Sequence, residues 1–166
     1  MQARVTSPFS WPRYPACATA TIAFVIGLTP LPPAYADGAG SPASAAACAD
    51  FGRALDLAAA NYSNFANALA IGEVDPNYAD PIVRTSNVTG RTALRLAAAD
   101  ALSASLTPGL PPEVAAPMRS WSYSSTKLVV LMGMRANVDQ INNSATELNE
   151  DAYSARMACA QAGTQT

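Results

Sequence analysis

The sequence predicts an all-α protein, an antiparallel bundle of four helices closed by one disulfide. Three observations carry that expectation. Apolar residues recur at alternating steps of three and four wherever a period is legible, and the short apolar run at 128–132 lies inside such a phase. Glycine and proline clusters cut these stripes into lengths of ordinary globular helices. Two cysteines, Cys48 and Cys159, stand at the start of the first stripe and the end of the last.

Residues 1–36 read as an address and not as part of the fold. Arg4 and Arg13 are the only charges before Asp37, and an apolar stretch follows at 16–28. Pro30, Pro32 and Pro33 then stop a helix, and Ala34-Tyr35-Ala36 places small residues two apart. A basic start, a short apolar core and an A-x-A site make a secretory signal peptide, with cleavage between Ala36 and Asp37. The apolar stretch is well short of the ~18–20 residues that span a bilayer. No twin-arginine pair is present, so the general secretory (Sec) route is expected. Cys17 stands at the start of the apolar stretch and Cys48 lies far beyond it, and neither directly follows it as lipidation requires. The expected product is secreted or held in the cell envelope, with no membrane span once the signal is removed.

Cleavage would leave residues 37–166, keeping all 12 acidic side chains and losing two of the 10 basic ones, for a net charge of −4. Cys48 and Cys159 would remain. An even count in an oxidising compartment points to a disulfide, and two cysteines allow one intramolecular connectivity.

The elements follow in order. Residues 37–44 (DGAGSPAS) read as a flexible leader, and 45–166 as a single helical domain. Cys48, Phe51, Leu55, Ala58, Tyr62, Phe65 and Leu69 form one stripe on a helix of roughly 45–71. Gly72 suits its end, and Pro76 and Pro81 make 73–87 a loop. Residues 93–105, rich in alanine and leucine, form a second helix that ends in the Thr107-Pro108-Gly109 turn. Pro111-Pro112-Glu113 opens a third.

The last segment allows two readings. Val138, Ile141, Ala145, Leu148, Ala152, Ala155 and Cys159 continue the stripe of Leu128, Leu131 and Met134 without a phase break. That continuity would make one helix of ~75 Å from about 113 to 162, in an extended arrangement. Gly133, the Asn142-Asn143 pair and Ser144-x-x-Glu147, which resembles a capping box, argue for a turn somewhere in 133–144. Burial favours the compact bundle, because a two-layer rod leaves more apolar surface wet.

Composition narrows the chemistry. Half of the chain is apolar, 7% is aromatic and 13% is charged, which argues against disorder. Net charge of −2 offers no basic case for a nucleic-acid partner. Histidine is absent, which removes His-based triads, Cys-His dyads and the common histidine metal sites. Ser124-Ser125-Thr126-Lys127 has the S-x-x-K spacing of penicillin-binding enzymes, but no S-D-N or K-T-G follows and the length is too short. Ser122, Ser124, Ser125 and Thr126 read more simply as a polar helix face beside Trp121. Glu147, Glu150 and Asp151 put three carboxylates at i, i+3 and i+4, as a solvated face does. No catalytic residue, metal ligand or cofactor is assigned. Asn61, Asn87 and Asn142 open glycosylation-type triplets that are common by chance.

Nine arginines to one lysine, heavy use of alanine and the stretch from Pro32 through Ala36 to Gly38 resemble exported actinobacterial proteins. With Ala47-Cys48-Ala49-Asp50-Phe51 near one end and Ala158-Cys159-Ala160 near the other, the mature segment resembles small secreted mycobacterial helical proteins, largely of unknown function. The resemblance implies export and a helical fold, and no activity. The W-x-G turn and Y-x-x-x-D/E tail of type VII substrates are absent.

Two functions are therefore expected. The first is a non-enzymatic exported protein that binds a protein or envelope partner. The second is a carrier of an apolar small molecule in a pocket between helices, lined by Tyr62, Trp121, Met132, Met134 and Tyr153.

Overall fold

The computed structural model describes residues 40–70 and 77–164. The expected signal peptide with its Ala36/Asp37 cleavage site, and the expected stop at Gly72, lie outside these residues. Among the described residues four helices run in order: α1 (Pro42–Ala70), α2 (Pro81–Ser105), α3 (Pro112–Gly133) and α4 (Val138–Gln161). Consecutive helices pack side by side, and α4 returns to α1, which closes an up-down-up-down bundle.

The stripe from Cys48 to Leu69 is buried along its whole length, as is that from Val138 to Cys159. Between them Trp121 fills the centre, its ring meeting Phe51 edge-on at 5.5 Å between centroids. Helix α2 contributes chiefly alanines, including Ala93, Ala97, Ala101 and Ala104, and so lies close against its neighbours. At Gly90 an added Cβ would come within 3.2 Å of Met132 Cε, which is why a glycine suits that crossing.

Three boundaries differ from expectation. Helix α1 begins at Pro42 and takes in the last three residues of the expected leader, where Ser44 is buried and its backbone N–H donates to Ser41 Oγ. Helix α2 begins at Pro81, not near 93. Asp80 caps it by accepting from the backbone N–H groups of Ile82 and Val83, and Pro81 supplies the preset φ of a first helical residue. Its early core positions are Val83, Asn87 and Gly90, and the last two carry no apolar signal. The third boundary settles the choice between bundle and rod.

The chain turns at 134–137, immediately after Gly133. Arg135 adopts a left-handed φ of 57°, and the N–H groups of Ala136 and Arg135 close back onto the carbonyls of Leu131 and Met132. Asn137 then caps α4 by accepting from Gln140 N. Ser144 is therefore not a cap. It lies buried in mid-helix, and Glu147 pairs with Lys127 instead of reaching back. Met134 leaves the stripe and is 66% exposed.

Cys48 and Cys159 are joined, with Cα atoms 5.9 Å apart and both residues fully buried. The pair ties the first turns of α1 to the last turn of α4.

Candidate functional site

Polar side chains meet along the seam between α3 and α4. Asp151 accepts from Ser120 Oγ at 2.8 Å and from Ser124 Oγ at 2.5 Å, one oxygen for each hydroxyl. One turn further along, Lys127 Nζ donates to Glu147 at 2.5 Å. The serine and lysine of the S-x-x-K spacing thus serve two different carboxylates. Neither is aimed at the other, so the lysine is not placed to deprotonate the serine. Glu150, the remaining member of the acidic trio, is exposed. Among the described residues no three His, Cys, Asp or Glu side chains converge as metal ligands.

The serine-rich run does not form one face. Ser122 donates to Ala98 O of α2 at 2.7 Å, Ser124 turns to α4, Ser125 points into the core, and Thr126 is exposed and bonds back to Ser122 O. Residues from Ser122 to Thr126 encircle the helix at 100° each, and only tertiary neighbours decide what each one meets.

The five residues expected to line a ligand pocket are not brought together. Tyr62, Trp121 and Met132 are fully buried in the packed core, whereas Met134 and Tyr153 are each 66% exposed. A cavity of about 360 Å³ does exist, but at the disulfide pole, between the starts of α1 and α3 and the end of α4. Its walls include Ser41, Ser44, Glu113, Val114 and Gln161. None of the five lines it. Burial pushes the Tyr62 phenol above its usual range, with Tyr78 adding to the effect.

A family model described as the Rv2240c four-helix bundle domain matches residues 35–160, which takes in all four helices except the last residue of α4. The chain belongs to that family. The family carries the name of a mycobacterial protein, in keeping with the likeness seen in the sequence. No curated protein and no solved structure matches the chain.

In this member of the family, several structurally important side chains carried no sequence signal. Asn87 is buried and donates through Nδ2 to Met132 O at 3.2 Å, so the triplet it opens is closed to glycosylation. Tyr78 donates to Ala136 O at 3.2 Å, and Arg135 lies 6.0 Å above its ring. Both contacts join positions far apart in the chain. Asn61 donates to Leu57 O inside α1.

Proposed function

We propose that this protein is an exported, non-enzymatic four-helix bundle of actinobacterial type, with a binding role at the cell envelope or outside the cell. Export rests on the signal-like residues 1–36, with cleavage expected between Ala36 and Asp37. The observation that carries the non-enzymatic reading is the engagement of the polar seam. Ser124 and Lys127, the pair with catalytic spacing, are each committed to a separate carboxylate that ties α3 to α4. A binding role then falls to the outer faces, where Tyr123, Val130, Tyr153 and several α2 residues expose large apolar side chains. The carrier reading has less support, since it needs an enclosed chamber and the largest side chains fill the interior.

Protein recovered from the culture medium of its own host tests these statements together. N-terminal sequencing should begin at Asp37; a start at Met1 in the membrane fraction would replace export with anchoring. Native mass spectrometry should show the bare chain or the chain with a protein partner. A retained small molecule would select the carrier, and labelling of Ser124 by a β-lactam probe would select an enzyme.

A further inference from the structure

The bundle is electrically two-sided. Helices α1 and α4 carry Asp50, Asp56, Asp139, Glu147, Glu150 and Asp151, against Arg53 and Arg156. Helices α2 and α3, with the turn that follows, hold Arg84, Arg91, Arg95, Arg119 and Arg135. None of these five arginines forms an ion pair among the described residues, although two ion pairs form elsewhere.

Helical spacing gathers the α2 and α3 arginines on the outer side of the seam between the two helices. On α2, Arg84, Arg91 and Arg95 share a face with the exposed Val88, Leu102 and Leu106. Arg91 reaches across to α3, where its guanidinium carbon would be 3.2 Å from a Cβ on Gly133. On α3, Arg119 shares its outer face with Tyr123 and Val130, which are 75% and 51% exposed. Arg135 continues the row at the pole, over Tyr78. The strip follows α2 for roughly 33 Å from Arg84 to Leu106.

The carboxylates of α2 and α3 all lie off this strip. Asp100 stands about 120° round α2 from Val88. Asp80 is occupied as the α2 cap, and Glu113 faces the cavity at the disulfide pole. Among the described residues the face therefore presents guanidinium groups interleaved with single apolar tips, and the carboxylate nearest to it, Asp80 before Arg84, accepts from the backbone N–H groups of Ile82 and Val83.

We infer that the outer α2/α3 face docks on an anionic lipid surface. Two helices side by side make a broad, shallow plane, and arginines can pair with headgroup phosphates while Val88, Leu102, Leu106 and Tyr123 enter the interfacial layer. A second copy of this chain is a poorer occupant. Its acidic edge has Asp151 held by two serines, Glu147 by Lys127 and Asp50 by Arg53. The apolar tips are also spread along the strip and not gathered into the central anchor typical of a protein interface. The assignment rests on the binding reading above, and vesicle binding is measured separately from export, so either can fail without the other.

The test uses the full chain, expressed in an exporting bacterial host and recovered as that host processes it. Co-sedimentation is compared on vesicles of phosphatidylcholine alone and of phosphatidylcholine mixed with phosphatidylglycerol. Binding should require the anionic lipid and weaken with added salt. The Arg84→Gln/Arg95→Gln/Arg119→Gln variant should keep its helical circular dichroism and bind about a hundredfold more weakly, at ~fivefold per arginine. The Asp139→Asn/Glu150→Gln variant should bind as the parent does. Equal binding to both vesicles, binding to neither, or an unaffected triple-arginine variant would overturn the proposal. A salt-sensitive oligomer formed without vesicles and lost in the triple variant would also overturn it, in favour of a second copy.

Discussion

The two poles of the bundle are held by different means. At the disulfide pole the chain supplies one connection, the α2–α3 turn, while α1 begins and α4 ends there. Nothing in the covalent path joins those two ends except Cys48–Cys159. At the far pole the chain makes two connections, one from α1 to α2 and one from α3 to α4. Those two hairpins are fastened to each other sideways, by Tyr78 to Ala136 O, Asn87 to Met132 O and the Arg135–Tyr78 contact. The same topology thus has a covalent tie at one end and non-covalent side-chain contacts at the other. An alanine-rich core explains why any tie is useful, since small side chains bury little area per residue.

Removal of the covalent tie is the strongest test of this difference. The bridge spans 111 residues of sequence, so its loss frees a long loop in the unfolded chain. Cys48→Ala/Cys159→Ala should keep its helical circular dichroism and lose ~2–4 kcal/mol in urea unfolding. Hydrogen exchange should locate the loosening in the first turns of α1 and the last turns of α4, with amides near Asn87 protected relative to them. Uniform loss at both poles would mean that the bundle opens only as a unit and that the poles are not independently held.

Alkaline pH should probe the opposite pole. Tyr62 is fully buried, and burial, with Tyr78 nearby, raises its phenol above the ordinary value near 10. An acid that is harder to ionise when folded favours the folded state only while it stays neutral. Its contribution is complete below the unfolded value and declines as the pH rises past ~10, where the unfolded chain begins to lose the proton first. Stability should therefore fall above that pH, and Tyr62→Phe should flatten the slope, as read from urea midpoints across a pH series. An unchanged slope in Tyr62→Phe would move the alkaline sensitivity to another tyrosine.

The poles also differ in how much of them was legible beforehand. Cys48 and Cys159 could be paired from the sequence, because two cysteines allow one intramolecular connectivity and they stand at matching ends of two stripes. The far pole was hidden. Its turn at 134–137 interrupts the backbone but not the three-four phase, since Leu131 and Val138 are seven residues apart on either side of it. Arg135 takes a left-handed conformation that sequence reading assigns to glycine or asparagine. Asn87 and Gly90 face the core without apolar character, which delayed the expected start of α2 by a dozen residues. Of the candidate site, the serine–aspartate seam was illegible because it depends on α3 meeting α4 in one register. Ser120 and Ser124 meet Asp151 only in the folded bundle.

Gly133→Ala should give the smallest effect and sharpen the comparison most finely. Gly133 is the last residue of α3, and alanine in a helix is favoured over glycine by ~1 kcal/mol. Against that gain, the new Cβ would lie 3.2 Å from both Cζ and Nη2 of Arg91. Those atoms are the far end of a long, half-buried side chain, so a few tenths of an ångström of swing relieve the contact. The expected result is a gain of up to ~0.5–1 kcal/mol in urea unfolding, with the disulfide pole untouched. A loss of similar size would show that Arg91 is clamped across the α2–α3 seam. The guanidinium would then count among the lateral fastenings of the far pole, beside Tyr78 and Asn87, instead of as a free member of the basic strip.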